Sequence, residues 1–188
     1  MSAQSADWSG CRDFQALPFA REYHTQQLDG LNNLGAILLQ RGKIDEAINR
    51  LAQAVELQPG NAWAQNNLGL ALVKVGRFDG AELSYRKALE LNPCYLKAHE
   101  NLGSLYLQTG RLDVAISSFQ AATEIEPDAK SFNDLGVAFA KSGRIEEATD
   151  SFGRAVGIEP NNARYRRNLG NGLLRKGDAE EAKQYLAP

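Results

Sequence analysis

The sequence predicts an all-α chain, a solenoid of about five helix-turn-helix repeats, from two observations: a fixed period and a helical spacing within it. Leu-Gly recurs at Leu34-Gly35, Leu68-Gly69, Leu102-Gly103, Leu135-Gly136 and Leu169-Gly170, in steps of 34, 34, 33 and 34 residues. Glycine keeps the same register at Gly42, Gly76, Gly110, Gly143 and Gly177, and alanine at Ala47, Ala81, Ala115, Ala148 and Ala182. Proline closes the units at Pro59, Pro93, Pro127 and Pro160. Independent columns with one period mark tandem units that bury their apolar faces against their neighbours.

Each element follows from the residues of one period. In the first unit Leu31, Leu34, Gly35 and Leu38 lie three or four apart and predict one helix face turned to the core. Gly42 supplies the left-handed position that ends this helix. Asp45 stands where a second helix takes an N-cap or a first-turn acid. Ala47, Leu51, Ala54 and Leu57 continue an apolar stripe until Pro59 stops it. Gly35 and Ala47 are small enough to let the two helices approach closely. No stretch alternates with a period of two, so no sheet is expected.

The units run over 28–61, 62–95, 96–128, 129–162 and a shortened fifth at 163–188. Residues 1–27 form a lead-in outside the repeat. Within it 1–12 reads as disordered, and Phe19 to Gln27 as a lengthened first helix or a cap. The third unit is one residue short between Pro127 and Leu135, which predicts a tighter turn into the fourth. Gly153 and Gly157 interrupt a predicted helix at about 1 kcal/mol each relative to alanine. With Gly172, they predict that the C-terminal end opens before the middle.

Composition narrows the function. The chain is 43% hydrophobic and 23% charged, with a formal net charge of −2, so nothing in the balance calls for a polyanion or a membrane surface. The basic-aromatic cluster Arg164-Tyr165-Arg166-Arg167, with Arg175 and Lys176, is offset by Asp178, Glu180 and Glu181. No apolar run reaches the ~18 residues of a membrane span. The segment from Met1 to Gly10 lacks the basic and apolar parts of a signal peptide, which makes the cytoplasm the expected location.

Cys11 and Cys94 stand outside any CxxC pair, and with only His24 and His99 they cannot supply a four-ligand zinc site. Two free thiols are expected, a disulfide between them being the alternative. His99 falls at a packing position. No phosphate loop, paired carboxylate site or nucleophile motif occurs, so neither an enzyme nor a cofactor is expected.

These columns resemble the tetratricopeptide repeat family. The second unit carries its pattern as Leu68-Gly69, Leu72, Ala81, Tyr85, Ala88 and Pro93, and the third as Leu102-Gly103, Tyr106, Ala115, Phe119, Ala122 and Pro127. The fourth gives Phe132, Leu135-Gly136, Phe139, Ala148, Phe152, Ala155 and Pro160. The resemblance implies a right-handed α–α superhelix that serves as a protein-interaction scaffold. At the places where chaperone adaptors of this family hold a terminal carboxylate stand Asn32, Ala36, Asn67, Lys97 and Asn101. Without the first lysine and the last arginine of that pattern, such an adaptor is not expected.

In stacked repeats of this kind the first helices line a concave groove. If Leu31, Leu34 and Leu38 face the core, residue 33 lies on another face, and its column reads Asn33, Asn67, Asn101, Asp134 and Asn168. A primary amide offers both donor and acceptor to a peptide unit. This row, similar to the asparagine row in the repeats of O-linked N-acetylglucosamine transferases, predicts a grip on an extended peptide.

Beside it lie Asn32, Asn66, Trp63 and Leu70 toward one end, and Lys97, Lys130, Lys141, Arg164, Arg167 and Arg175 toward the other. The expected ligand is a peptide with acidic residues. Docking of a substrate for a larger glycosyltransferase-like enzyme, and self-association through the solenoid ends, are the competing readings.

Overall fold

A computed structural model describes residues 29–186. The lead-in over 1–27, with its expected disorder and capping helix, lies outside the described residues, as do Cys11 and His24. Among the described residues there are α-helices and no strand. In chain order these are α1 (Asp29–Gln40), α2 (Ile44–Leu57), α3 (Ala62–Lys74), α4 (Phe78–Leu91) and α5 (Leu96–Gln108). There follow α6 (Leu112–Ile125), α7 (Ala129–Lys141), α8 (Ile145–Ile158), α9 (Ala163–Lys176) and α10 (Ala179–Leu186). The chain divides into two compact units, 1–105 and 106–188, at a boundary inside α5.

Local chemistry explains the alternation. Gly42, Gly76, Gly110, Gly143 and Gly177 have φ of 74°, 73°, 76°, 81° and 103°, the left-handed region that ends each odd-numbered helix and admits glycine without strain. The helices that follow α1, α3, α5 and α7 start from Lys43, Arg77, Arg111 and Arg144, none of which gives a side-chain cap. Acids in the first turn, such as Asp45 and Glu46 in α2, face the positive end of the helix dipole instead. Asp45 is therefore the first-turn acid, and not the cap.

Side-chain caps sit on α3, α7 and α9. Asn61 Oδ1 accepts from Ala64 N at 3.0 Å, Asp128 Oδ1 from Ser131 N at 2.6 Å, and Asn162 Oδ1 from Arg164 N at 3.1 Å. The link from α6 to α7 is the tight one, as its missing residue predicts. There Asp128 N donates to Glu126 O at 2.9 Å, two residues back. At the corresponding link Asn61 N reaches three residues back to Gln58 O at 3.1 Å, and Asn162 N to Glu159 O at 3.2 Å.

In the first unit Leu38, Ala47, Leu51 and Ala71 form a buried cluster, flanked by Leu39, Ile48 and Leu68. The Leu-Gly glycines Gly35, Gly69, Gly136 and Gly170 pack under a large residue of the next helix. A Cβ on Gly35 would stand 2.5 Å from Leu51 Cγ, and one on Gly69 2.6 Å from the Tyr85 ring. The close approach thus belongs to Gly35 and Leu51, while Ala47 fills the core beside them. Two expected core positions are exposed: Leu34 at 41% and Leu57 at 61%. Leu57 is the last residue of α2, where the helix leaves its packing partner, and Leu34 has no earlier repeat among the described residues to cover it.

In the second unit Ala129, Phe132, Ala155 and Tyr165 are buried together against Val156. A Cβ on Gly136 would stand 2.7 Å from the Phe152 ring, and one on Gly170 2.5 Å from Leu186 Cγ. Helix α8 runs unbroken through Gly153 and Gly157, and nothing lies within 4 Å of where their Cβ atoms would be. Cys94 is disulfide-bonded, which corrects the expectation of two free thiols. Distance along the chain says nothing of whether two sulfurs meet in space.

Candidate functional site

The asparagine column does not stand as a row of separate amides. In the first unit Asn67 Nδ2 donates to Asn32 Oδ1 at 2.9 Å, and Asn101 Nδ2 to Asn66 Oδ1 at 2.9 Å. In the second, Asn168 Nδ2 donates to Asn133 Oδ1 at 2.7 Å. Every rung joins residues 35 apart, so the second amide of one repeat reaches the first amide of the repeat before it. Asn133 is fully buried and Asn66 nearly so, and the rungs satisfy carbonyls that would otherwise be stranded. Each rung uses one N–H of the donor amide, leaving it a second N–H and its own carbonyl. Asn33 is exposed, and no rung reaches it among the described residues.

The acids that interrupt the column are neutralised locally. Glu100, at the first-amide position of its repeat, is buried and takes a 2.8 Å ion pair from Lys97. Asp134, at the second-amide position, is paired with Lys130 at 3.0 Å and Arg164 at 3.8 Å, and accepts from Asn133 Nδ2 at 3.3 Å. Of the expected basic residues, Lys97, Lys130 and Arg164 therefore already face carboxylates. Lys141 and Arg167 are exposed and make no ion pair among the described residues. Arg175 Nη1 donates to Ala140 O at 3.1 Å, which holds its guanidinium across from α9 to α7.

Trp63 is 43% exposed and meets Tyr95 edge-on, at 6.4 Å between centroids and 82° between planes. The indole is thus both solvent-facing and braced. Burial pushes the Tyr95 hydroxyl up to about 12. Leu70 is half-buried. His99 is buried, and its Nε2 donates to Pro93 O at 2.9 Å; desolvation lowers its pKa, partly offset by that hydrogen bond. This is a packing histidine. No group of three or more His, Cys, Asp or Glu side chains that could hold a metal occurs among the described residues, and no described helix is long and apolar enough to cross a membrane.

A cavity of about 210 Å³ opens on this face within the second unit. Val137, Ala140, Ile145, Ala148, Phe152 and Gly172 form its apolar wall, with Lys141, Asn168, Asn171 and Arg175 around them. The sequence reading named Lys141, Asn168 and Arg175 but missed the cavity. The signal was present, because the register that gives Ile37, Ala71, Leu105 and Ala138 in earlier repeats gives Gly172 in the last. A side chain missing from one repeat leaves space that the others fill.

A sequence profile described as "TPR repeat" matches residues 35–76, and one described as "Tetratricopeptide repeat" matches 67–130 and 133–187. The chain belongs to the tetratricopeptide repeat family. No curated protein matches it. Among solved structures it is similar to MamA 41-end from Desulfovibrio magneticus RS-1, with 24% identity and a TM-score of 0.77 over 85% of this chain and 91% of that one. It is similar to MamA of AMB-1, with 28% identity and a TM-score of 0.69 over 82% and 92% of the two chains. PilF of Pseudomonas aeruginosa shares 23% identity at a TM-score of 0.76, over 84% of this chain and 72% of that one. These likenesses are of fold.

Proposed function

We propose that this chain is a protein-interaction scaffold whose first helices hold an extended peptide, the amides gripping its backbone and the cations of the second unit selecting acidic side chains. The observation that carries this reading is on α7 and α9. There Asn168, the donor of the Asn133–Asn168 rung, lines one cavity with Lys141, and Arg167 precedes it on α9; neither cation has a carboxylate of its own among the described residues. Residues 164, 168, 171 and 175 follow four-three-four spacing, as do 130, 134, 137 and 141, so each set shares one helix face. Trp63, Leu70 and the rungs of the first unit offer the same backbone grip with an apolar flank. Docking of a larger enzyme's substrate would use this face in the same way.

The test is capture from an unbiased peptide library by the wild type, by Asn67→Ala/Asn101→Ala and by Lys141→Gln/Arg167→Gln, with folding checked by circular dichroism. Wild type should enrich acidic peptides, the amide variant should weaken all of them, and the charge variant should lose the acidic preference. Equal capture by all three proteins would sink the reading.

Self-association is the second reading, favoured by Leu34 and Ile37, 41% and 46% exposed on the same helix. A mass that rises with concentration would support it, and a constant monomer mass would dismiss it.

A further inference from the structure

We propose that the cavity between α7 and α9 is a side-chain pocket. It takes a bulky apolar residue of an extended partner segment, next to one acidic residue and about four residues from another. This deepens the reading above and rests on it. The two helices are tied across this face at three points: Arg164 to Asp134 at 3.8 Å, Asn168 to Asn133 at 2.7 Å, and Arg175 to Ala140 O at 3.1 Å. A furrow held at both ends and in the middle is pre-organised, so little ordering is left for a ligand to bring about.

The pocket is real space with an apolar lining. A cavity of ~150 Å³ lined by aliphatic and aromatic side chains takes up benzene, so about 210 Å³ bounded by Val137, Ile145 and Phe152 accommodates a leucine or phenylalanine side chain. Gly172 keeps it open. A Cβ there would stand 3.0 Å from Thr149 Oγ1 and 3.5 Å from Phe152 Cδ2, and any larger side chain would extend into the space beside α8.

Charge sets the flanks. Lys141 and Arg175 stand at the pocket itself, and Arg167, with no carboxylate of its own among the described residues, lies near the start of α9. From Arg167 to Arg175 is about 12 Å at the helical rise, about four residues of extended chain. Cations this far apart suit two acidic side chains along one segment better than a single terminal carboxylate.

The experiment is fluorescence polarisation of the full chain with labelled nonapeptides of serine and threonine. Each carries two aspartates four residues apart, followed by leucine, alanine or lysine. The leucine form should bind at least about tenfold tighter than the alanine form, and the lysine form weakest. Val137→Gln and Gly172→Leu should erase the leucine preference while leaving alanine-form binding in place, and Val137→Gln, at a half-buried site, guards against a folding failure of the other. Equal binding of the leucine and alanine forms, or a preference that survives both variants, overturns the pocket and leaves the acidic-peptide reading standing. No binding of any form overturns both.

Discussion

The two compact units use one scaffold and present different faces. Both end their first helices on positive-φ glycines, tuck a Leu-Gly glycine under a large side chain, and tie neighbouring first helices with asparagine rungs. The first unit surrounds its rungs with Trp63, Leu70 and a lysine already paired to Glu100. The second sets Lys141 and Arg175 beside Asn168 of its rung, around a cavity. It also stacks guanidinium groups on its aromatics: Arg111 over Tyr106 at 4.4 Å, Arg144 over Phe139 at 4.5 Å and Arg154 over Phe132 at 3.8 Å. The scaffold columns and the face columns vary independently, because side chains on opposite sides of one helix answer to different neighbours.

The shared scaffold is tested hardest at its largest side chains. Tyr85→Ala in the first unit and Phe152→Ala in the second each remove a side chain at most 4% exposed, and each should lower stability by about 3–5 kcal/mol. Urea unfolding of the two variants measures this. A large loss in one and none in the other would show that the units are not equivalent at the core.

The rungs should separate the units. Asn168→Ala strands the carbonyl of the fully buried Asn133 and should cost about 1–3 kcal/mol, whereas Asn67→Ala leaves the half-buried Asn32 open to water and should cost about 0.5–1.5 kcal/mol. Equal losses would mean that burial does not set the value of a rung.

For ligand binding the contrast should be sharper. Arg175→Gln should weaken acidic peptides about tenfold, roughly 1.4 kcal/mol, while Lys97→Gln should leave them unchanged because Lys97 already answers Glu100. Equal weakening by both, in titration calorimetry, would erase the distinction between the faces.

Smaller effects go in both directions. Gly153→Ala meets open space within a continuous helix and should stabilise the second unit by about 0.5–1 kcal/mol in thermal melts. In the first unit, burial lowers the pKa of His99 below its usual 6.5, so the fold holds the neutral imidazole. The unfolded chain takes up the proton first. The stability from His99 is therefore complete above pH 6.5 and declines as pH falls toward the lowered folded value. A stability profile between pH 7.5 and 5 in wild type and His99→Gln checks the sign, and a slope unchanged by the substitution would place the titration elsewhere.

Local signals were legible because they act within one or two helical turns. The period, the turn glycines, the first-turn acids and the shortened link before Asp128 all follow from residues a few positions apart. Stacking was not legible. The offset of 35 that joins Asn67 to Asn32 and Asn168 to Asn133 depends on how far one repeat slides past the next, and no residue within a repeat records that distance. The same limit hid the exposure of Leu34, whose pattern matches Leu68 and Leu102 but whose neighbour in space differs.

The sequence by itself determined a tandem helical array of the tetratricopeptide repeat family and the residue types on its faces, since helix formation and termination are encoded by nearby residues. Only the tertiary structure decided which amides pair, which lysines and arginines stay unpaired, and that Gly172 leaves a cavity. Those outcomes depend on the distances between elements that packing brings together.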